Sequence, residues 1–160
     1  MPHRTRRVIG IDPGLAHTGF GVVESRNGIL RLISYGVIET SAEESHEIRL
    51  LAIYNRLVAV LEEFSPSEAE METLYFSRNA SSALAVAEAK GVATLALAQH
   101  GIPLFMYTPN KIKSTVTGSS GADKDTVERY VQLLLNMRTR PQPDHAADAL
   151  AGAITHLHST

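Results

Sequence analysis

The order of its strand-like and helix-like segments constrains the fold of this chain more than any other feature. Three strand-like segments come first, at residues 7–14, 18–23 and 28–40, and short turns connect them. Consecutive strands that are joined by short turns pair in antiparallel fashion. These segments therefore predict an antiparallel meander that forms one part of a sheet.

Helix-like and strand-like segments alternate in the rest of the chain. The helical segments cover residues 45–64, 79–100, 123–137 and 144–158, with a shorter one after Thr108 and Pro109. The strand-like segments between them cover residues 68–76 and 102–107. Thr108 and Pro109 are typical of an N-cap and of the first position of a helix. The pattern predicts an α/β protein in which helices flank a mixed five-stranded sheet.

Length and composition fit one globular domain over residues 1–160. The chain has no internal repeat and a hydrophobic fraction of 44%. It contains no cysteine, which excludes disulfides and thiolate metal sites. The basic N-terminus does not resemble a signal peptide, and no segment approaches the roughly 18 apolar residues of a membrane span. We therefore expect a cytoplasmic protein without a membrane partner.

The negative charge is concentrated in one part of the chain. The net charge is −2, but residues 24–72 carry ten glutamates, whereas residues 73–160 carry eight Lys and Arg against six Asp and Glu. Much of the chain is thus free to present a basic surface to a polyanion such as a nucleic acid. Solvated helix faces would explain the same distribution without a partner.

Four side chains of the kinds that bind divalent cations lie in or next to these patterned segments. Asp12 follows the apolar part of the first predicted strand, Glu72 lies in the fourth strand, and His145 and Asp148 are about one turn apart on the last helix. Carboxylates that repel one another are tolerated together when cations neutralise them, and oxygen-rich sites suit Mg²⁺ or Mn²⁺. The four residues predict a metal-dependent enzyme that acts on phosphodiesters.

Each of these residues also has a purely structural interpretation. Asp12 would serve as a turn cap, and Glu72 as a solvent-facing carboxylate on an edge strand. Glu70 shares a strand face with Glu72, so this face is either solvated or forms one electronegative pocket. His145 would be a surface or capping residue, and Asp144 the N-cap of the last helix without a role in metal binding.

Several segments together resemble the RuvC family of Holliday-junction resolvases over essentially the whole chain. They are Gly-Ile-Asp-Pro-Gly at residues 10–14, Asn-Ala-Ser-Ser-Ala-Leu at 79–84, Gly-Val-Ala at 91–93 and His-Ala-Ala-Asp-Ala-Leu-Ala at 145–151. The first motif alone is weak, because sugar-kinase and actin-like ATPases open with a similar strand and loop. The four segments in this order are specific.

The resemblance implies a ribonuclease H-like fold, a homodimer, and nicking of two opposed strands of four-way junction DNA in recombination and repair. It implies that Asp12, Glu72, His145 and Asp148 are the catalytic residues and hold two Mg²⁺ or Mn²⁺ ions per active site, about 4 Å apart. The nicks would carry 5′-phosphate and 3′-hydroxyl ends. A branch-migration motor of the RuvA and RuvB type is the implied partner.

Two positions set this chain apart within the family pattern. Some relatives have a carboxylate at the position of His145, and an imidazole there makes activation by Mn²⁺ plausible. Glu70 departs from the apolar or small residue that we expect at its position.

Basic side chains provide candidate phosphate contacts, which are Arg78, Lys111, Lys113 and Lys124. The resemblance matches Lys113 and Lys124 to basic positions near the scissile strand. Any one of these lysines would be a solvated surface charge under the simpler interpretation. The sequence alone leaves both alternatives open.

Two aromatic residues close the fourth predicted strand. Tyr75 and Phe76 point to opposite faces, so one ring is predicted to face outward and stack on an unpaired base at the crossover. Tyr75 matches the family better in that role. Burial of both rings in the core is the alternative.

The segment at residues 79–100 is apolar on nearly all sides, so a second subunit would contribute to its burial. The alternative is a central core helix in a monomer. Three other functions compete with a junction endonuclease: an ATP-binding module of the actin-like type, a junction binder without catalysis, and a nuclease of the same fold that acts on RNA or RNA–DNA hybrids.

Overall fold

A mixed five-stranded sheet forms the centre of the molecule in the computed structural model, which describes residues 4–73 and 80–160. Its strands are β1 (Thr5–Asp12), β2 (His17–Arg26), β3 (Ile29–Glu39), β4 (Glu68–Glu72) and β5 (Leu104–Tyr107), in the order β3-β2-β1-β4-β5. β1, β2 and β3 pair antiparallel, whereas β1, β4 and β5 are parallel. The predicted meander and mixed sheet are confirmed.

Helices cover both faces of the sheet. They are α1 (His46–Phe64), α2 (Ala80–Gln99), α3 (Pro109–Thr117), α4 (Lys124–Leu134) and α5 (Asp144–Ser159). Apolar side chains of α1 and α2 pack on one face, and those of α3, α4 and α5 pack on the other. The alternation of side chains along β1 separates the two cores, since Ile9 and Ile11 belong to the first and Val8 to the second.

Local chemistry explains where elements begin and end. The Thr108 side chain accepts a hydrogen bond from the backbone N–H of Lys111, so the predicted N-cap of α3 is confirmed. α4 ends at Leu134 rather than at residue 137, because Asn136 adopts a left-handed conformation with a φ of 52° that does not continue a helix. β1 ends before Pro13, which lacks the N–H that a ladder requires.

Two predicted boundaries differ from the structure or lie outside the residues that it describes. The sequence predicts that the fourth strand continues to residue 76, whereas β4 ends at Glu72, Thr73 is not part of the strand, and residues 74–76 are not described. The second helix is predicted from Asn79, and α2 is described from Ala80.

Glycines allow α5 to lie directly on the strands. A Cβ at Gly10 of β1 would be 1.9 Å from the carbonyl oxygen of Ala149, and one at Gly19 of β2 would be 2.1 Å from that of His145. Real Cβ atoms do not approach oxygen so closely, so only glycine fits at these two positions. The close approach fixes the height of α5 above the ends of β1 and β2.

A buried polar cluster holds the C-terminal half of α5. His156 is fully buried, with Nδ1 2.7 Å from the hydroxyl of Tyr107 and Nε2 3.2 Å from Oε1 of Glu68. Arg6 donates two hydrogen bonds to the Glu68 carboxylate. Burial raises the pKa of Glu68, but the hydrogen bonds from Arg6 and His156 outweigh it and lower the pKa overall. Buried polar groups of α5 are thus paired at this end of the helix.

The apolar composition of α2 bears on the prediction that the chain has no membrane span. By length and composition alone its 20 residues are apolar enough to cross a membrane, contrary to the prediction that no segment approaches this limit. One side of the helix, with Ala89, Ala93, Ala96 and Leu97, packs in the core that α1 shares. Core helices of soluble proteins meet the same criterion, so α2 alone does not establish a span.

Candidate active site

The site lies at the edge where β1 and β4 end. These strands are parallel, with Ile11 paired to Met71, so Asp12 and Glu72 follow at neighbouring positions of the same edge. Asp12 is on the face of β1 that Val8 and Gly10 present to α5. α5 begins at Asp144 and carries His145 and Asp148 in its first two turns.

His145 and Asp12 are in direct contact. The Nδ1 atom of His145 lies 2.9 Å from Oδ2 of Asp12, and both side chains are partly exposed. The contact joins the first turn of α5 to the end of β1, which are 133 residues apart in sequence. The close approach at Gly19 holds the backbone of His145 in this place.

The carboxylates of the site interact with one another. Burial raises the pKa of Asp12, Asp148 raises it further, and the hydrogen bond with His145 opposes both effects. Burial also raises the pKa of Glu72, with added contributions from the charges of Asp148 and Asp12. The pKa of Asp148 is raised by its burial, although Lys124 acts in the opposite direction. A nearby cation would stabilise the charged forms of these three carboxyl groups.

Lys124 is bound to the acidic end of α5. Its Nζ atom lies 3.4 Å from Oδ2 of Asp148 and 3.5 Å from Oδ2 of Asp144. Partial burial lowers the pKa of the ammonium group, but the two aspartates outweigh burial and hold this pKa above its ordinary value. In this arrangement the ammonium group supplies the positive charge beside Asp148.

A cavity of about 280 Å³ opens between these groups and α3 and α4. Five charged residues line it: Glu72, Lys113, Asp123, Lys124 and Asp148. The remaining lining residues are Pro109, Ile112, Ala122, Val127 and Ala151. Lys113 and Lys124 therefore face the same space as two of the predicted metal ligands. Lys111, an exposed residue of α3, is not among the residues that line the cavity.

The donors suit a divalent cation by type. Three carboxylates and one imidazole are ligands for Mg²⁺ or Mn²⁺. Within residues 4–73 and 80–160, no three His, Asp or Glu side chains converge closely enough to hold a metal ion. Asp12 is bonded to His145 and Asp148 to Lys124, so a cation that binds here would have to replace these contacts.

Two interpretations from the sequence need correction. Asp144 is not the N-cap of α5: the N-cap position is Pro143, and Asp144 is the first helical residue. Glu70 is not on a solvated face, since it is 1% exposed beneath α5. Its pKa is raised well above the ordinary value by burial first, and then by the charges of Glu72 and Asp12.

Gly152 of α5 provides the space that Glu70 occupies. A Cβ at Gly152 would lie 1.8 Å from Oε2 of Glu70. Oε1 of Glu70 has no hydrogen-bond partner in the described part of the chain. A buried carboxyl with a raised pKa and an unpaired oxygen is consistent with the neutral form at this position.

Three predicted site residues are not described by the structure, and the structure adds a site residue that was not predicted. Tyr75, Phe76 and Arg78 lie outside the residues that the structure describes. His17, whose ring stacks on that of His145, is a residue of the site that the motifs did not indicate. The face shared by His17, Gly19 and Gly21 on β2 could have indicated it, but only once the register with β1 was known.

Comparisons with known proteins identify a family for this chain. Residues 8–156 match the family model of the crossover junction endodeoxyribonuclease RuvC. The chain is 47% identical to RuvC of Treponema pallidum (strain Nichols) over 151 residues, which cover 94% of this chain and 77% of the relative. It is 49% identical to RuvC of Chloroflexus aurantiacus (strain J-10-fl) over 96% of this chain and 93% of the relative.

Solved structures give the same result. The structure of Thermus thermophilus RuvC in complex with Holliday junction substrate matches with a TM-score of 0.91 and 35% identity, over 96% of this chain and 93% of that chain. The yeast mitochondrial Holliday junction resolvase Ydc2 shares the fold, with a TM-score of 0.66 at 14% identity over 96% of this chain and 79% of that chain.

The ribonuclease H-like fold that the resemblance implied is thereby confirmed. An ATP-binding module and a binder without catalysis do not fit the family that the matches identify. The chain belongs to the RuvC family of crossover junction endodeoxyribonucleases.

Proposed function

We propose that this chain resolves four-way DNA junctions by paired, symmetric, metal-dependent nicks at the site of Asp12, Glu72, His145 and Asp148. One observation carries the proposal: the first two turns of α5 bring His145 to 2.9 Å from Asp12 and place Asp148 on the same cavity as Glu72, at the edge where β1 and β4 end. A relative that is 35% identical forms a complex with Holliday junction substrate, which supports the choice of DNA substrate.

The four side chains would hold Mg²⁺ or Mn²⁺. When bound, the cations supply an activated water and stabilise the oxygen that leaves the scissile phosphate, which gives 5′-phosphate and 3′-hydroxyl ends. Asp12, Glu72 and Asp148 contribute charge, and their mutual repulsion is relieved when a cation binds. His145 adds a neutral ligand that suits Mn²⁺ in particular.

Lys124 has a further role in this proposal. Its ammonium group lies beside Asp148 and Asp144, in the cavity that Glu72 and Lys113 also line. If Asp148 held a cation, the ammonium group of Lys124 would be released from this contact and placed to bind a DNA phosphate. Lys113, at the same cavity, would contact the same strand.

The other DNA contacts of the proposal rest on the resemblance. Lys111 is exposed on α3 and available to a phosphate. Arg78, Tyr75 and Phe76 are proposed as contacts from their positions in the family pattern, with one of the two rings stacked on a base at the crossover.

We further propose a homodimer with two symmetric sites. The helices α1 and α2, which pack against each other, carry four exposed large apolar side chains: Ile48, Leu51, Leu84 and Leu95. Exposed apolar residues on two neighbouring helices favour a protein interface. The dimer would act in the cytoplasm, in recombination and DNA repair, with a branch-migration motor of the RuvA and RuvB type.

The deciding experiment is cleavage of a synthetic mobile four-way junction, with Mg²⁺ and Mn²⁺ compared in parallel. Duplex DNA and an RNA–DNA hybrid serve as control substrates. Paired symmetric nicks on the junction alone are expected, and cleavage of the hybrid instead would favour the alternative nuclease on this fold.

The variant Asp12→Asn separates binding from chemistry. It retains the shape and a hydrogen-bonding group of Asp12 but removes one negative ligand, so we expect it to bind the junction and not to cleave it. Glu63→Gln, an exposed change on α1, is the matched control and should cleave like the parent. A folded Asp12→Asn protein that still cleaves would contradict the proposed site.

A further inference from the structure

The ring of His17 lies against the ring of His145. The two ring centroids are 5.5 Å apart, and the ring planes differ by 6°. Offset-stacked rings with centroids about 4.5–7 Å apart attract one another beyond the effect of their buried area. His17 thus contacts a proposed metal ligand, although it lies outside the motif that carries Asp12.

The hairpin of β1 and β2 brings His17 to this position. Asp12 pairs with Gly19 across the hairpin, and Gly19 is where the backbone of His145 approaches β2. His17 is two residues before Gly19, so its side chain is on the same face of β2. One strand therefore contacts His145 twice, by its backbone at Gly19 and by the ring of His17.

The two contacts of the His145 ring complement each other. The contact between Nδ1 and Oδ2 of Asp12 fixes one edge of the ring. The stack on His17 fixes the plane of the ring. The His145 side chain is 44% exposed, and without the stack it would exchange among rotamers that must be ordered again when a cation binds.

The contact of His17 with Glu39 does not explain this arrangement. Its Nε2 atom is 3.8 Å from Oε1 of Glu39, and the two side chains are 49% and 70% exposed. A pair this long and this exposed contributes little. The parallel rings are therefore the contact of His17 that has a consequence for the site.

We propose that His17 is a positioning residue for the metal site, whose ring holds the ring of His145 in the orientation that a cation requires. The proposal rests on the proposed role of His145 as a ligand. Residues that orient a metal-binding histidine commonly change metal affinity or activity when they are altered. His17 would act through the planar shape of its ring and not through a bond to the cation.

Three substitutions at one position test this role. His17→Ala removes the ring, His17→Leu replaces it with a non-planar group of similar size, and His17→Phe keeps a planar ring without nitrogen. His158→Ala, an exposed imidazole near the end of α5, is the matched control. Thermal unfolding of each variant checks that it is folded, and the comparison of Phe with Leu remains if the alanine variant is not.

Three readouts apply to each variant. Calorimetry with Mn²⁺ alone measures the metal affinity of the DNA-free protein, and NMR of the imidazole nitrogens reports the state of His145 without metal. Single-turnover cleavage of the mobile junction is compared with junction binding in the absence of metal.

We expect His17→Ala and His17→Leu to weaken Mn²⁺ binding by about two- to tenfold, the range for loss of one aromatic pair. Cleavage should fall by a similar factor, the His145 signals should shift or broaden, and junction affinity should stay unchanged. His17→Phe should recover most of the loss, and His158→Ala should behave like the parent.

Three results would overturn the inference. They are unchanged Mn²⁺ affinity and His145 signals in the alanine and leucine variants, a phenylalanine variant as impaired as the alanine variant, and a loss confined to junction binding. If the parent protein binds no Mn²⁺, or its His145 signals do not respond to Mn²⁺, the proposed metal site itself fails. The behaviour of the parent thus distinguishes the two failures.

Discussion

α5 and α2 are both rich in alanine, yet they differ in how much of each helix is buried. Eleven of the 16 residues of α5 are buried, against four of the 20 residues of α2. α5 lies on strands that offer glycine at the points of contact, whereas the buried side of α2 is a narrow stripe beside α1. Composition alone therefore does not decide burial, because the surface that a helix meets determines how closely it can approach.

The first prediction breaks the packing of α5 with the smallest possible change. Gly10→Ala would place a methyl group 1.9 Å from the carbonyl oxygen of Ala149. Since both atoms belong to rigid elements, we expect a loss of about 3 kcal/mol or more in the free energy of unfolding. Chemical denaturation measures this change.

The same substitution on α2 is the control. Gly91 lies inside the helix, and apart from the adjoining backbone of α2 no heavy atom of the described residues is within 4 Å of the place that a Cβ would take there. At protein concentrations below those at which the chain associates, Gly91→Ala should therefore stabilise the protein by about 0.5–1 kcal/mol through helix propensity. Equal effects at Gly10 and Gly91 would contradict the difference between the two helices.

The second prediction concerns the open side of α2. Leu84 and Leu95 are 64% and 54% exposed. If this face forms the dimer, the double change Leu84→Gln and Leu95→Gln should weaken self-association by about 10- to 100-fold and leave the unfolding of the monomer nearly unchanged. Sedimentation velocity over a concentration series measures the association constant.

Leu133→Gln, at a more exposed leucine of α4, is the matched control for lost apolar surface. It should not change the association constant. If the double variant associates like the parent, the dimer contact does not involve Leu84 and Leu95, and the proposed interface is wrong.

The third prediction concerns charge on the α5 side and has the smallest effect. The pKa of Glu72 is raised in the folded protein, first by burial and then by Asp148 and Asp12. A carboxyl with a raised folded pKa contributes stability below its unfolded pKa, and this stability is lost as the pH rises through the folded pKa. Metal-free protein should therefore lose stability as the pH rises through that window.

Glu72→Gln should abolish this part of the pH dependence. At neutral pH we expect the metal-free variant to unfold about 1–3 °C above the parent, a small effect because solvent still reaches the Glu72 side chain and screens its charge. With Mn²⁺ the order should reverse, because the parent keeps the ligand. Thermal scans across pH with and without Mn²⁺ test both signs, and Glu63→Gln should show neither.

The elements of the fold were predictable from the sequence because periodicity and turn residues act locally. Thr108 and Pro109 mark the start of α3, and the short turn after β2 implies the antiparallel pairing. The exposure of α2 was not predictable, since it depends on how much of the helix surface the neighbouring elements cover. The end of α4 was missed because it depends on the backbone conformation of Asn136.

The site was predictable in part for the same reason. Asp12, His145 and Asp148 stand in motifs that mark them, and the structure brings His145 into contact with Asp12. Their roles as metal ligands remain proposals. The place of His17 beside His145 and the burial of Glu70 could not be predicted from the sequence. They depend on the register of β2 and on the distance of α5 from the sheet, which arise from contacts between segments far apart in the chain.

The contact between Glu70 and Gly152 also limits how the chain can change over time. The glutamate fits under α5 because the helix has no side chain at position 152. A larger residue at 152 therefore requires the buried carboxyl end of Glu70 to move or residue 70 to become smaller, whereas glycine at 152 accepts either. Replacements at these two positions should therefore be coupled among related sequences, with a larger residue at 152 accompanying a smaller residue at 70 more often than a glutamate.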